Sequence, residues 1–73
     1  MKTKLERDLL LGKIIYFESE EHHLELSYKM SRAKIAKFYI EFDGIVVHTN
    51  REFSEIKRLL NVTINKFEMG IVK

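Results

Sequence analysis

Apolar residues along this chain keep two rhythms, one helical and one alternating, and the switches between them mark the elements. Leu5 and Leu9 stand on one face of a stretch of good helix formers, and Gly12 follows as a C-terminal stop, so residues 2–11 predict a short helix. "KIIYFE" then has the β-branched and aromatic content of a strand. "HLELSYKM" alternates, with Leu24, Leu26, Tyr28 and Met30 on one side and Glu25, Ser27 and Lys29 on the other, which predicts a half-buried strand. A hairpin between these runs places Ile15 and Phe17 on the face of Leu26 and Leu24.

"KIAKFYIEFDGIVVHT" carries the strongest local signal, because Asp43-Gly44 suits a two-residue turn that needs positive φ at both positions. The hairpin it predicts pairs Phe42 with Ile45, Ile40 with Val47 and Phe38 with Thr49 on the core side. Glu41 with Val46 and Tyr39 with His48 occupy the other side. The spacing of Ile35, Phe38, Tyr39 and Phe42 also fits a helix, but the strand-like runs flanking the turn favour strands. Asn50 is placed to cap a helix over "REFSEIKRLL", whose buried stripe is Phe53, Ile56, Leu59 and Leu60. Its acids come early and its bases late, which suits the helix dipole.

The tail, "NVTINKFEMGIV", supports two readings. Its β-branched "VTI" favours a strand, which would need a bulge near Lys66 where the apolar phase breaks. Ile64, Phe67 and Ile71 instead fall on one face of a helix, with Thr63 as N-cap and Asn61 in a left-handed turn. In the helical reading, "EIKRLLNVTINKF" resembles the helix-turn-helix DNA-binding motif over Phe53 to Ile71. The resemblance implies that Ile56, Leu60, Val62, Phe67 and Ile71 hold two helices together. It makes "TINKFEMG" a recognition helix with Asn65 and Lys66 at base edges in the major groove. Lys57, Glu68 and Gly70 depart from the motif's pattern.

Composition narrows the functions open to such a chain. The 73 residues make one domain, 45% hydrophobic with five Phe and three Tyr, too apolar for disorder. With no cysteine, neither a disulfide nor a thiolate metal site can brace it, so a dense core or a second copy of the chain is expected to do so. No signal or membrane-spanning run is present, and a cytoplasmic location follows as an expectation. Net charge is only +2, but its distribution is uneven. Glu18, Glu20, Glu21 and Glu25 form an acidic block, and Lys29, Arg32, Lys34 and Lys37 a basic one.

His22 and His23 lie in the acidic block. Neighbours on a strand face opposite ways, so they are expected in a solvated turn and not as joint metal ligands. His48 opposite Tyr39 is expected as an exposed cross-strand pair. No Gly-rich phosphate loop or spaced acid pair supports catalysis, and no cofactor is expected. The aromatic residues near the basic block add a second nucleic-acid reading, in which Lys29, Lys37 and Tyr39 on one sheet face track a phosphate backbone and stack bases.

The expected fold class is α+β: a short N-terminal helix, two antiparallel β-hairpins forming one sheet, and a C-terminal helix followed by a short helix or strand. The expected function is a small non-enzymatic regulatory module that binds double-stranded DNA. Asn65, Lys66, Arg58 and Lys57 would act from the C-terminal unit, with Lys37, Lys34 and Arg32 holding phosphates. The alternative is a protein-interaction module, an inhibitor, adaptor or homodimer, that uses the acidic block or a sheet edge.

Overall fold

The computed structural model of the chain describes residues 2–72. The elements are α1 (Lys4–Leu10), β1 (Ile15–Glu18), β2 (His23–Met30), β3 (Ala36–Phe42), β4 (Ile45–Asn50), α2 (Phe53–Lys66) and β5 (Gly70–Ile71). The class is α+β, with one antiparallel sheet in the order β4-β3-β2-β1-β5. The sheet therefore has five strands rather than the four of two hairpins, and the chain closes on a strand rather than a further helix.

Local chemistry accounts for the element ends. The Thr3 hydroxyl accepts from the Glu6 N–H at the start of α1. At its end, the Gly12 N–H bonds to Leu9 and the Lys13 N–H to Asp8, with Gly12 at φ +94°. This is the left-handed cap that a glycine accommodates without strain. Asp43 and Gly44 both take positive φ in the tight turn between β3 and β4.

The β1–β2 pairs match the alternation, Ile15 with Leu26 and Phe17 with Leu24. The β3–β4 pairs begin as expected, Phe42 with Ile45 and Glu41 with Val46, but the register then shifts by one residue. Val47 is the extra residue of a bulge, so Ile40 faces His48, Tyr39 faces Thr49 and Phe38 faces Asn50. His48 is consequently half-buried on the core side rather than paired with Tyr39. Asn50 belongs to β4, and its side chain accepts from the Glu52 N–H, so the residue preceding α2 is Glu52 and not Asn50.

The turn expected at Asn61 to Thr63 does not form. α2 runs unbroken through "NVT", and the Thr63 hydroxyl donates back to the Leu59 carbonyl instead of capping a new helix. The physical reason is the continuing apolar stripe: Phe53, Ile56, Leu60, Ile64 and Phe67 all pack into or against the core. Glu68 then takes φ +53°, the Met69 N–H bonds to the Ile64 carbonyl, and Gly70–Ile71 pairs beside β1. Thus "TINKFEMG" holds the last turn of one helix, a reversal and the start of a strand. The second, crossing helix implied by the resemblance is not formed.

Both helices pack on one face of the sheet. Leu9, Phe17, Leu24, Leu26, Phe38, Ile40, Ile56, Leu60 and Met69 form the buried cluster. Phe38 and Phe53 meet near the start of α2, and Phe42 and Phe67 near its end, so α2 runs along β3 before delivering the chain to β5.

Candidate nucleic-acid interface on the open sheet face

Successive strand residues point to opposite faces, so core duty falls on the even positions of β2 and β3. Their odd positions project from the face that neither helix covers. Three facing pairs succeed one another there: Glu25 with Glu41, Ser27 with Tyr39, and Lys29 with Lys37. Tyr16, exposed and opposite Glu25, extends this face onto β1.

The basic end is organised around Tyr39. Lys29 Nζ lies 5.0 Å from the Tyr39 ring centroid, a cation–π contact that orders both side chains. Lys37 faces Lys29, and exposed Arg32 and Lys34 sit in the turn joining the same two strands. In that turn the Ser31 N–H donates to the Ile35 carbonyl, the Ser31 hydroxyl accepts from the Ile35 N–H, and Lys34 takes φ +61°. Two lysines therefore stand beside an aromatic ring on the open face, with two further cations in the turn beyond, a combination suited to phosphates flanking a stacked base.

The other end of the face is acidic. Glu25 and Glu41 are direct cross-strand neighbours. Hydrogen bonding with Glu41, then burial, then repulsion by the Glu41 charge raise the Glu25 carboxyl above its ordinary range, against the weaker opposing pull of His23 and Lys29.

The residues expected to act on DNA do not share one surface. Lys57, Arg58, Asn65 and Lys66 belong to α2, on the opposite side of the sheet from Lys37. Arg58 pairs with Glu55 at 2.8 Å, Lys57 is half-buried, Asn65 is exposed, and Lys66 Nζ sits 5.5 Å from the Phe67 ring centroid. Lys37 lies opposite Lys29 on the open face, and Lys34 and Arg32 stand in the turn joining β2 and β3.

His22 is not the solvated turn residue expected. Its ring packs between Phe42 and Phe67, at centroid distances of 4.9 and 5.0 Å, and its Nδ1 lies 2.6 Å from Asp43 Oδ2. Asp43 Oδ1 accepts from the His23 N–H. Hydrogen bonds from the His23 backbone and the His22 ring lower the Asp43 carboxyl below its ordinary range. This link ties two turns and the end of α2 together. Its partners are far apart in the chain, and no local pattern announced it.

Beside it lies an open cleft of about 550 Å³, lined by Ser19, Glu20, Glu21, His22, Phe67 and Glu68. Glu20 and Glu21 of the acidic block, with Glu68, line it and would attract a cationic group. Among the described residues, no three His, Cys, Asp or Glu side chains gather where they could hold a metal ion. No helix among those residues is long and apolar enough to cross a membrane. No known protein family, curated protein or solved structure matches the chain.

Proposed function

We propose that the chain is a small, non-enzymatic nucleic-acid-binding module that holds single strands on its open sheet face. The observation that carries this reading is the Lys29–Tyr39 contact with Lys37 directly opposite Lys29, and Arg32 and Lys34 in the turn that joins the same two strands. An aromatic face can stack only on a base that is free of a duplex stack, so this arrangement favours single strands over double-stranded DNA. Phosphates would bridge the cations, and the ring would supply sequence-tolerant stacking.

The test is a fluorescence anisotropy titration with a labelled single-stranded oligonucleotide of about twelve residues, beside the same sequence as duplex. Single strands bind more tightly, and affinity falls steeply with added salt as neutralised phosphates release counterions. Tyr39→Ala weakens binding by roughly tenfold, the loss of one stacked base, while the thermal melt stays close to wild type. No binding at low salt refutes the reading.

A second reading is favoured by the β4 edge. Ile45, Val46 and Val47 are 68%, 45% and 45% exposed on a strand with no neighbour on its outer side. β4 carries no Lys, Glu or Pro, and its guard against strand addition is the bulge at Val47. A second copy of the chain pairing edge to edge would give a homodimer with a continuous sheet.

A further inference from the structure

Three cations stand in a row that runs across the strands rather than along them. Lys29 on β2 faces Lys37 on β3. On β4, exposed Thr49 faces Tyr39 and so shares its side of the sheet. Two residues along a strand return to the same face, so Arg51, directly after β4, falls on that side as well. The register sets it abreast of Lys37, because the preceding residue, Asn50, pairs with Phe38. The Asn50 side chain accepts from the Glu52 N–H at 2.8 Å, a bridge that spans Arg51 and fixes the backbone where the strand ends.

These cations are also free to meet a ligand. Among the described residues, the lysines and arginines with a carboxylate partner are Lys4, Lys13 and Arg58, on the helices or just after α1. Lys29, Lys37 and Arg51 have none there.

Charge then decides which way a bound strand can run. Along the strands, the path from Lys29 and Lys37 passes Tyr39 and reaches Glu25 and Glu41, which repel phosphates. Across the strands, the row beside the cations is Ser27, Tyr39 and Thr49, without an acid. Neighbouring strands lie about 4.8 Å apart, so the row from Lys29 to Arg51 is roughly 10 Å wide. Successive phosphates can follow it while a base turns onto Tyr39.

We infer that a bound single strand crosses the sheet from β2 to the end of β4, with Arg51 as a further phosphate-binding residue and Thr49 as a neutral neighbour of the stacked base. The inference rests on the single-strand reading above and gives that site a direction and an additional residue.

The experiment titrates labelled oligo(dT) of about twelve nucleotides against the full chain over a series of salt concentrations. Arg51→Ala weakens binding severalfold and makes the slope of log K against log salt shallower by about 0.7, the share of one phosphate contact on a single strand. Lys37→Ala does the same, and Arg51→Lys, which keeps the charge, restores the slope. Arg7→Ala removes one exposed charge from α1, on the other side of the sheet, and leaves the slope at the wild-type value. Arg51 is exposed, so thermal melts of its variants stay close to wild type. A wild-type slope for Arg51→Ala beside a reduced one for Lys37→Ala overturns the crossing path and leaves the single-strand surface standing. An absence of oligo(dT) binding at low salt overturns both.

Discussion

Asn61→Pro separates one continuous helix from two helices joined at a turn. In α2, Asn61 lies well inside the helical ladder. Proline there removes one backbone hydrogen bond and drives its ring against the carbonyl four residues earlier, at a cost of about 3 kcal/mol or more. It also forces the preceding residue out of the helical region, and that residue is Leu60, fully buried in the core. Unwinding beyond position 61 would release Ile64, Phe67 and Met69, of which Met69 is buried. Loss of Met69 burial adds about 1.5–3 kcal/mol. The expected total, roughly 4.5–6 kcal/mol, is a large fraction of the roughly 4–11 kcal/mol that 73 residues ordinarily command. The thermal midpoint falls by at least about 18 °C, or the variant is unfolded at room temperature. Circular dichroism melts and urea titrations measure this, with Asn61→Ala as a control that keeps or slightly raises stability. A proline variant that melts with wild type would mean that a turn lies at Asn61, and the continuous helix would be wrong.

Two carboxyls bend the stability–pH curve in opposite directions. The lowered Asp43 contributes stability above its ordinary 3.8 that is lost as pH falls through its folded value. Asp43→Asn therefore flattens the acid limb of the curve, and an unchanged limb would show that the His22 and His23 contacts do not matter. The raised Glu25 has the opposite sign, its stabilisation present below the ordinary 4.5 and lost as pH rises through its folded value. Glu25→Gln accordingly raises the melting temperature at neutral pH and leaves it little changed in acid. Val47→Lys places a charge on the β4 edge and gives a monomer at every concentration in sedimentation, whereas wild type self-associates. A wild-type chain that stays monomeric removes the edge-pairing reading.

The parts of this fold that could be read from the sequence are those fixed by local chemistry. Asp43-Gly44 announces its turn because both positions need positive φ, and the alternation from Leu24 to Met30 announces which side chains meet the core. The face assignment of Lys29, Lys37 and Tyr39 followed from the same alternation. The bulge at Val47 could not be read, since "IVVHT" is equally β-branched in either register. Continuity of α2 was hidden for a different reason. Val62, Thr63 and Ile64 have modest helix propensity, and Asn61 tolerates a left-handed turn, so local preference argued for a break. Packing of Ile64 and Phe67 against the sheet overrides it. The His22–Asp43 link joins residues 21 apart, and only the assembled hairpins bring them together.

Strand order decides what the open face is free to do. α2 leaves the sheet at β4 and returns the chain at β5, on the opposite edge, so the connection must cross the whole sheet. With α1 on the same side, neither helix of the described residues covers the other side. Residues there are released from core packing, and solubility alone would favour opposite charges across each pair. The observed arrangement places Glu against Glu and Lys against Lys. Exchanging two residues, Lys37→Glu with Glu41→Lys, would keep the composition and turn two repulsive pairs into two attractive ones. Each pair contributes a few tenths of a kcal/mol to 1 kcal/mol on an exposed strand surface, so the double variant gains roughly 1 kcal/mol. Its melting temperature rises by about 4–8 °C. The same exchange abolishes the segregation of cations from carboxylates on which nucleotide binding depends, so single-strand affinity collapses although net charge is unchanged. Melts and oligonucleotide titrations on one preparation read both effects. A variant that is more stable and binds as well as wild type would show that the segregated charges serve no ligand, and the open face would lose its claim to be the functional surface.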